Sequence, residues 1–498
     1  MNTTPAPGLR PALYEGAFWL LLGSGGQKLL GLAAGIVLAR LLRPHDFGVF
    51  AFAALAYELA SLFDGVGTAQ YVVAAREADT HLDVAHRINF TVAVVLALIL
   101  GALSPVAAAF FHEPRLMLLI PVLALAIPLG ALGAVQGALL EREMRLGALA
   151  RRRMVVNLGT VVLTVAFAAA GLGVWALILP VPLRSAGNAW MNLSLHRWRP
   201  RWRGRTPGGR AVLGYGRHVL GAKLARYLTH QLDNGVVGRV LGASALGIYD
   251  FAYGAAMMPP RVASDFAGQL AFPAFATQAR GRAAIADAPH DPGPFVTMTR
   301  WTTFLAGPLV LGLVVVASDW VRVLYGPKWL ATIPLIRILA PAGFAVLMAR
   351  PVASWMLASR HEAWPARIQF ASLPAIALAL WLTVPHGVTW VALGMGAVLV
   401  LQSAAMIAVA LRARAAEASA YAHAVWSGLL PSLIMVLVLA PAMRLARDAG
   451  TPLLRLAIFI PGGVALFVAS SAWLARPQLR EILDLLKHGL RRRARTAA

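Results

Sequence analysis

Apolar runs of about 20 residues, the length a helix needs to cross a bilayer core, alternate with short polar connectors along nearly the whole chain. Read from one polar break to the next, the runs begin near Ala17, Phe47, Asn89, Met117, Met154, Val174, Leu213, Gly247, Arg300, Leu330, Ala366, Val388, His423 and Pro452. This pattern predicts an all-α polytopic membrane protein of about fourteen transmembrane helices. The punctuation between runs recurs. The stretch "VLARLLRPHDFGVF" (37–50) breaks an apolar run, and "VVGRVLGASALGIYDF" (236–251) breaks a later one with Arg239 in the place of Arg40, Gly247 of Gly48 and Tyr249 of Phe50. Between the two copies the chain crosses the membrane an even number of times, so the copies point the same way, as parallel repeats about an axis along the membrane normal. The predicted architecture is two parallel lobes of about six helices each around a central cavity, plus two C-terminal helices. The boundaries are 1–193 for the first lobe, 194–210 for a basic linker, 211–412 for the second lobe and 413–498 for the last two helices and a basic tail. Each copy of the motif reads as the turn between the first two helices of a lobe, with Pro44 following a helix end and Gly48 and Gly247 letting the second helix start close against the first.

Composition supports the same class. The 498 residues are 59% hydrophobic and 13% charged, more apolar surface than a soluble domain of this length buries. With 45 Lys+Arg against 21 Asp+Glu the chain is strongly basic. The positive charges concentrate in alternate connectors, among them "EREMRLGALARRRM", "HRWRPRWRGRTPGGR", "QARGRAA" and the tail "HGLRRRARTAA". The positive-inside rule turns that bias into an orientation with both termini cytoplasmic, and it accounts for the basicity without a nucleic-acid partner. The Arg/Trp alternation in "HRWRPRWRGR" reads as cytoplasmic arginines beside interfacial tryptophans. With no cysteine, disulfides and thiolate chemistry are excluded. The polar, Pro-rich start predicts no signal peptide. Nucleotide-hydrolysis, metalloprotease and serine-hydrolase motifs do not occur, so no cofactor or metal is expected and the chain does not read as an enzyme.

Charge inside the spans is the informative exception, because a charged side chain at the bilayer centre costs at least about 2.5–3.5 kcal/mol. The run starting at Leu213 carries Lys223, Arg226, Tyr227, His230, Asp233 and Asn234 on one helical face. The next repeats the pattern with Asp250, Tyr253, Met257, Arg261, Asp265 and Gln269. The first lobe has an equivalent set: Ser24, Gln27, Lys28 and Gly31 on its first span, then Tyr57, Glu58, Ser61, Asp64 or Gly65, and Thr68 on its second; the tenth span adds Arg337 and Arg350. Packing these stripes around a shared cavity satisfies them. The competing explanation is structural ion pairing of Lys28 with Glu58, and of Arg226 or Arg261 with neighbouring aspartates.

The segments "ARLLRPHDFGVFAFA", "SLFDGVGTAQYVV", "RYLTHQLDNGVVGRVLGASALGIYDFAY" and "VRVLYGPKWLATIPLIRILA" resemble bacterial polysaccharide exporters of the Wzx-type oligosaccharide flippase family, within the multidrug/oligosaccharidyl-lipid/polysaccharide exporter superfamily. The similarity runs from about Trp19 to Arg360. It implies an inner-membrane flippase that moves an undecaprenyl-pyrophosphate-linked repeat unit from the cytoplasmic to the periplasmic leaflet for O-antigen, capsule or exopolysaccharide assembly. The working form is expected to be a monomer beside the pathway's polymerase and chain-length machinery. Carried onto this chain, the resemblance makes Lys28, Lys223, Arg226, Arg261 and Arg337 candidates to meet pyrophosphate or acidic sugars. Glu58, Asp64, His230, Asp233 and Asp265 become coupling groups or structural partners. The rival functions are a lipid II or drug exporter of the same superfamily and, in another class, a membrane polysaccharide polymerase, which the short outward connectors disfavour.

Overall fold

The computed structural model describes residues 30–63, 68–74, 78–201, 224, 227–282, 294–358, 363–413, 418–446 and 450–476. Among them the secondary structure is helical. The elements are α1 (Leu30–Leu41), α2 (Pro44–Ser61), α3 (Thr68–Ala74), α4 (Ala78–Phe111), α5 (Leu116–Ala124), α6 (Ala126–Ala131), α7 (Ala134–Arg142), α8 (Leu146–Ala169), α9 (Trp175–Ile178), α10 (Pro180–Leu195), α11 (227–241), α12 (Ala243–Arg282), α13 (Pro294–Leu324), α14 (Thr332–Ala358), α15 (Ala363–Thr383), α16 (Val388–Ala413), α17 (Ala418–Leu445) and α18 (Pro452–Leu474). Eight of the described helices are long and apolar enough to cross a membrane, and Leu116–Ala131 with Ala134–Arg142, bent by 45°, counts as a ninth if taken as one span. The chain is a multi-pass membrane protein. Predicted and observed starts coincide at Val388 and Pro452. Elsewhere the helices extend beyond the apolar run: α4 begins eleven residues before the expected Asn89, at Ala78, because polar residues at an interface continue a helix as readily as they end an apolar window.

Contacts divide the chain into two compact units, Met1–Gly247 and Ile248–Ala498. The division by contact falls inside α12; the division by repeat falls earlier, in the linker before α11.

In the first unit the opening motif is a two-residue break. Pro44 occupies the first turn of α2, where its missing N–H is no loss, and the Arg43 N–H donates to the Asp46 carboxylate at 3.0 Å. The role of the glycines differs from the expectation. A Cβ on Gly48 would overlap the carbonyl of Ala243, and a Cβ on Gly247 would overlap the carbonyl of Pro44. The contact is reciprocal, since Gly247 is the repeat equivalent of Gly48 and Ala243 that of Pro44. The two copies of the motif thus pack on each other, backbone to backbone, rather than each on its own preceding helix. Phe52 extends the seam: its ring fills the space a side chain at Gly238 would need and stacks on Phe111 at 4.3 Å between centroids.

The basic connector after α10 is pinned through its described part. The Arg201 N–H donates to Asp83 at 2.9 Å, His196 lies 3.0 Å from Glu143, and Trp198 packs edge-on to the buried His86. These contacts fit an anchoring role for the Arg/Trp alternation.

In the second unit α13 packs along α17, α14 and α18, and α14 along α16. The motif aromatics are architectural here. Phe251 stacks on Trp329 at 4.1 Å and meets Tyr325 edge-on at 4.8 Å, so the "LGIYDF" and "LYGPKW" segments form one buried cluster. Gly326, at φ 89°, makes the positive-φ turn between Tyr325 and Trp329. The last two helices carry more than the apolar packing expected of them: Arg455 of α18 is buried and makes a bidentate pair with Asp319 of α13, at 2.8 and 2.7 Å.

Candidate functional site

In the first unit the polar face centres on α11 lying along α2. The Tyr227 hydroxyl donates to the Leu55 carbonyl at 2.8 Å. One turn on, Gln231 Nε2 donates to the Glu58 carboxylate at 2.6 Å, and Asn234 Nδ2 donates to Gln231 Oε1 at 2.8 Å. The spacing 227, 231, 234 is a single helical stripe, so these bonds fix the register of α11 against α2. Gln231 escaped the sequence reading because the ionisable residues drew the face slightly off this line; its position four after Tyr227 and three before Asn234 was the available signal.

The ionisable residues divide by burial. Asp233 is buried, and its Oδ1 accepts from the Asn234 N–H at 2.9 Å. Glu58 and His230 are exposed on their helices. Glu58 is held by Gln231, which leaves its second oxygen available to accept. Lys28, Asp64, Lys223 and Arg226 lie outside the described residues.

In the second unit Asp250, Arg261 and, on α14, Arg350 are exposed. Met257, on the same predicted stripe, is buried against Gly343, so that part of the stripe is core. Asp265 belongs to α12, and its side chain is outside the description.

Arg337 stands apart from these. Its Nη2 donates to Ser318 Oγ at 2.8 Å and its Nε to the Val314 carbonyl at 3.4 Å. It lines a cavity of about 460 Å³ walled by α13, α14, α17 and α18, together with Arg322, Arg444, Arg455 and Asp319.

Among the described residues no three His, Asp or Glu side chains converge as a metal would require. What the exposed set offers is hydrogen-bond donors and acceptors, with charges of both signs, on α2, α11, α12 and α14. Held open to hydrocarbon such groups would be costly, a cost that protein partners, water or a polar cargo offset.

The chain is similar to several known proteins. Over 284 residues, 56% of its length, the chain is 26% identical to the teichuronic acid biosynthesis protein TuaB of Bacillus subtilis (strain 168), of which the match covers 57%. It is 26% identical over 325 residues, 65% of its length, to the succinoglycan biosynthesis transport protein ExoT of Rhizobium meliloti (strain 1021), of which 64% is covered. The chain thus spans somewhat under two thirds of each of these relatives. Its fold matches that of the lipid II flippase MurJ in an inward closed conformation, with a TM-score of 0.70 and 13% identity, over 92% of this chain and 98% of that one. Residues 37–334, more than half the chain, match the family described as polysaccharide biosynthesis protein, and to that family the chain belongs.

Proposed function

We propose that the chain is a flippase that carries a lipid-linked oligosaccharide, an undecaprenyl-pyrophosphate-linked repeat unit, from the cytoplasmic to the periplasmic leaflet for surface polysaccharide assembly. The observation that carries the reading is the match of residues 37–334 to the polysaccharide biosynthesis family in a chain with eight described helices long and apolar enough to cross a membrane, to which α2, α11, α12 and α14 add the exposed polar and charged residues Glu58, His230, Asp250, Arg261 and Arg350. Charges so placed are sustained by an aqueous path for a polar cargo. The relatives support the cargo class: one is named for succinoglycan transport and another for teichuronic acid synthesis, and the MurJ-like fold supports a lipid-linked substrate.

The mechanism is alternating access. The two repeat-related lobes, 1–193 and 211–412, rock about a central cavity, which opens first to the cytoplasm and then to the periplasm, while the polyprenyl chain remains in lipid. Guanidinium and ammonium groups at Lys28, Lys223, Arg226 and Arg261 offset the charge of the pyrophosphate and of acidic sugars, through charge-assisted bonds that strengthen where the dielectric is low. Sugar hydroxyls exchange water for side chains such as Gln231 and Glu58. Glu58, Asp64, His230, Asp233 and Asp265 are the groups through which the cycle would couple to protons or sodium. The protein resides in the bacterial inner membrane with both termini cytoplasmic.

The test removes charge at the cavity. Lys223→Ala combined with Arg226→Ala should abolish polymer export while the amount of folded protein in the membrane stays at the wild-type level. Export at the wild-type level in that variant would reject cationic capture at these positions.

A further inference from the structure

The cavity of the second unit contains a charge imbalance that the central path does not explain. Arg322, Arg337, Arg444 and Arg455 line it, and Asp319 is the one carboxylate among the described lining residues. That carboxylate is already engaged, bidentate, by Arg455. Arg337 is exposed, but Ser318 and the Val314 carbonyl tether its guanidinium to the α13 wall. Three guanidinium groups thus share about 460 Å³ with no described anion left to pair with them. Apart from Ser318 the remaining lining, Val314, Val315, Val436, Ala440 and Met443, is apolar, while the three guanidinium groups themselves reach solvent.

The place of the cavity makes the imbalance harder to dismiss. It is formed where α13 and α17 end and where α14 and α18 begin. With cytoplasmic termini, this is the outward end of the helices, where the positive-inside rule disfavours Arg. Helix ends welcome Arg322 and Arg444, each in a last turn, by about 0.3–1 kcal/mol through the macrodipole. Arg337 and Arg455 sit near helix starts, where that effect is adverse.

We infer that this cavity is a phosphate-binding site at the outward end of the second unit, which takes the phosphorylated head of a lipid. Planar guanidinium groups converging from separate helices match the several oxygens of a phosphate or pyrophosphate, and the apolar wall suits the first methylenes of the attached chain. The phosphate has two possible sources, the molecule being carried, once it reaches the outer leaflet, and an anionic phospholipid of the bilayer. The first source rests on the transport reading; the second does not.

The experiment uses the full chain, purified in a neutral detergent and examined by native mass spectrometry. The probes are undecaprenyl pyrophosphate, phosphatidylglycerol and an uncharged diacylglycerol of the same acyl composition. Arg322→Gln with Arg444→Gln removes two charges and leaves the Arg455–Asp319 pair in place. Arg151→Gln with Arg153→Gln, at exposed positions of α8, removes the same charge elsewhere. Unaltered thermal unfolding shows that both variants remain folded. The expected result is binding of a phosphate-bearing lipid but not diacylglycerol, weakened by a factor of about ten or more in the first variant, as for one lost charge-assisted contact, and unchanged in the second. Preference for the pyrophosphate lipid assigns the site to the carried molecule; equal or tighter binding of phosphatidylglycerol assigns it to the bilayer. Wild-type binding by Arg322→Gln/Arg444→Gln, or equal weakening in both variants, overturns the site. That outcome would leave the export test at Lys223 and Arg226 untouched, so the two readings fail separately.

Discussion

Replacing Arg455 by alanine is expected to cost about 3–5 kcal/mol of stability, the usual penalty for stripping one partner from a buried ion pair. The thermal unfolding of the solubilised protein should fall accordingly. The arginine is 6% exposed and Asp319 3%. It closes two charge-assisted bonds at 2.8 and 2.7 Å and a third, at 3.3 Å, to the Gly450 carbonyl. Its removal strips the buried Asp319 carboxylate of its bidentate partner, a loss that Arg322, Arg337 and Arg444 in the same cavity offset only if their side chains move to reach it. Asp319→Leu combined with Arg455→Met should behave quite differently. With both charges gone, neither desolvation cost remains, and apolar groups of similar volume can pack between α13 and α18, so the double variant should unfold close to the wild type. If the single and double variants are equally damaged, the pair is not what joins α18 to α13.

Substitution of Gly48 by valine should be destabilising by a few kcal/mol, at or above the upper end of the usual 1–3 kcal/mol for overpacking. What a side chain there would meet is the backbone of Ala243, which cannot swing aside as a flexible side chain can. Alanine gives the sharper test, because two effects of opposite sign compete. Helix propensity favours Ala over Gly by about 1 kcal/mol within a helix, whereas even one methyl overlaps Ala243. The close contact should win, so Gly48→Ala should unfold at a lower temperature than the wild type. Gly101→Ala in α4, where nothing lies within 4 Å of the added carbon, should be neutral or stabilising. Equal behaviour of the two would remove the argument that the repeated motif packs on itself, and Gly247→Ala should mirror Gly48→Ala because the contact is reciprocal.

These two sites show what the sequence could and could not reveal. Hydrophobic run length exposed the all-α membrane class and positioned α16 and α18 correctly. The recurrence of Arg, Gly and an aromatic residue marked two segments whose glycines pack reciprocally. The partner of each glycine was invisible, because a motif shows that a backbone must come close to something without showing to what. The Asp319–Arg455 pair was hidden for a similar reason. Its members are 136 residues apart, helical spacing relates only residues on one helix, and Arg322, three residues after Asp319, offers a nearer partner by that spacing. A signal was nonetheless present: a charge in a span demands a partner, and "VVVASDWVR" and "PLLRLAIF" carry charges of opposite sign. On the polar face, periodicity singled out Tyr227 and Asn234 but passed over Gln231, since the ionisable residues drew the face off its line. It also drew Met257 into a stripe from which packing against Gly343 removes it.

The central claim is translocation, and it is tested most directly in a strain of the source bacterium that lacks this gene, by measuring surface polymer together with the leaflet in which lipid-linked repeat units accumulate. The account predicts that polymer is lost and that the units accumulate facing the cytoplasm, both reversed when the gene is restored. Accumulation on the periplasmic face would show that the units cross without this protein and would contradict the account.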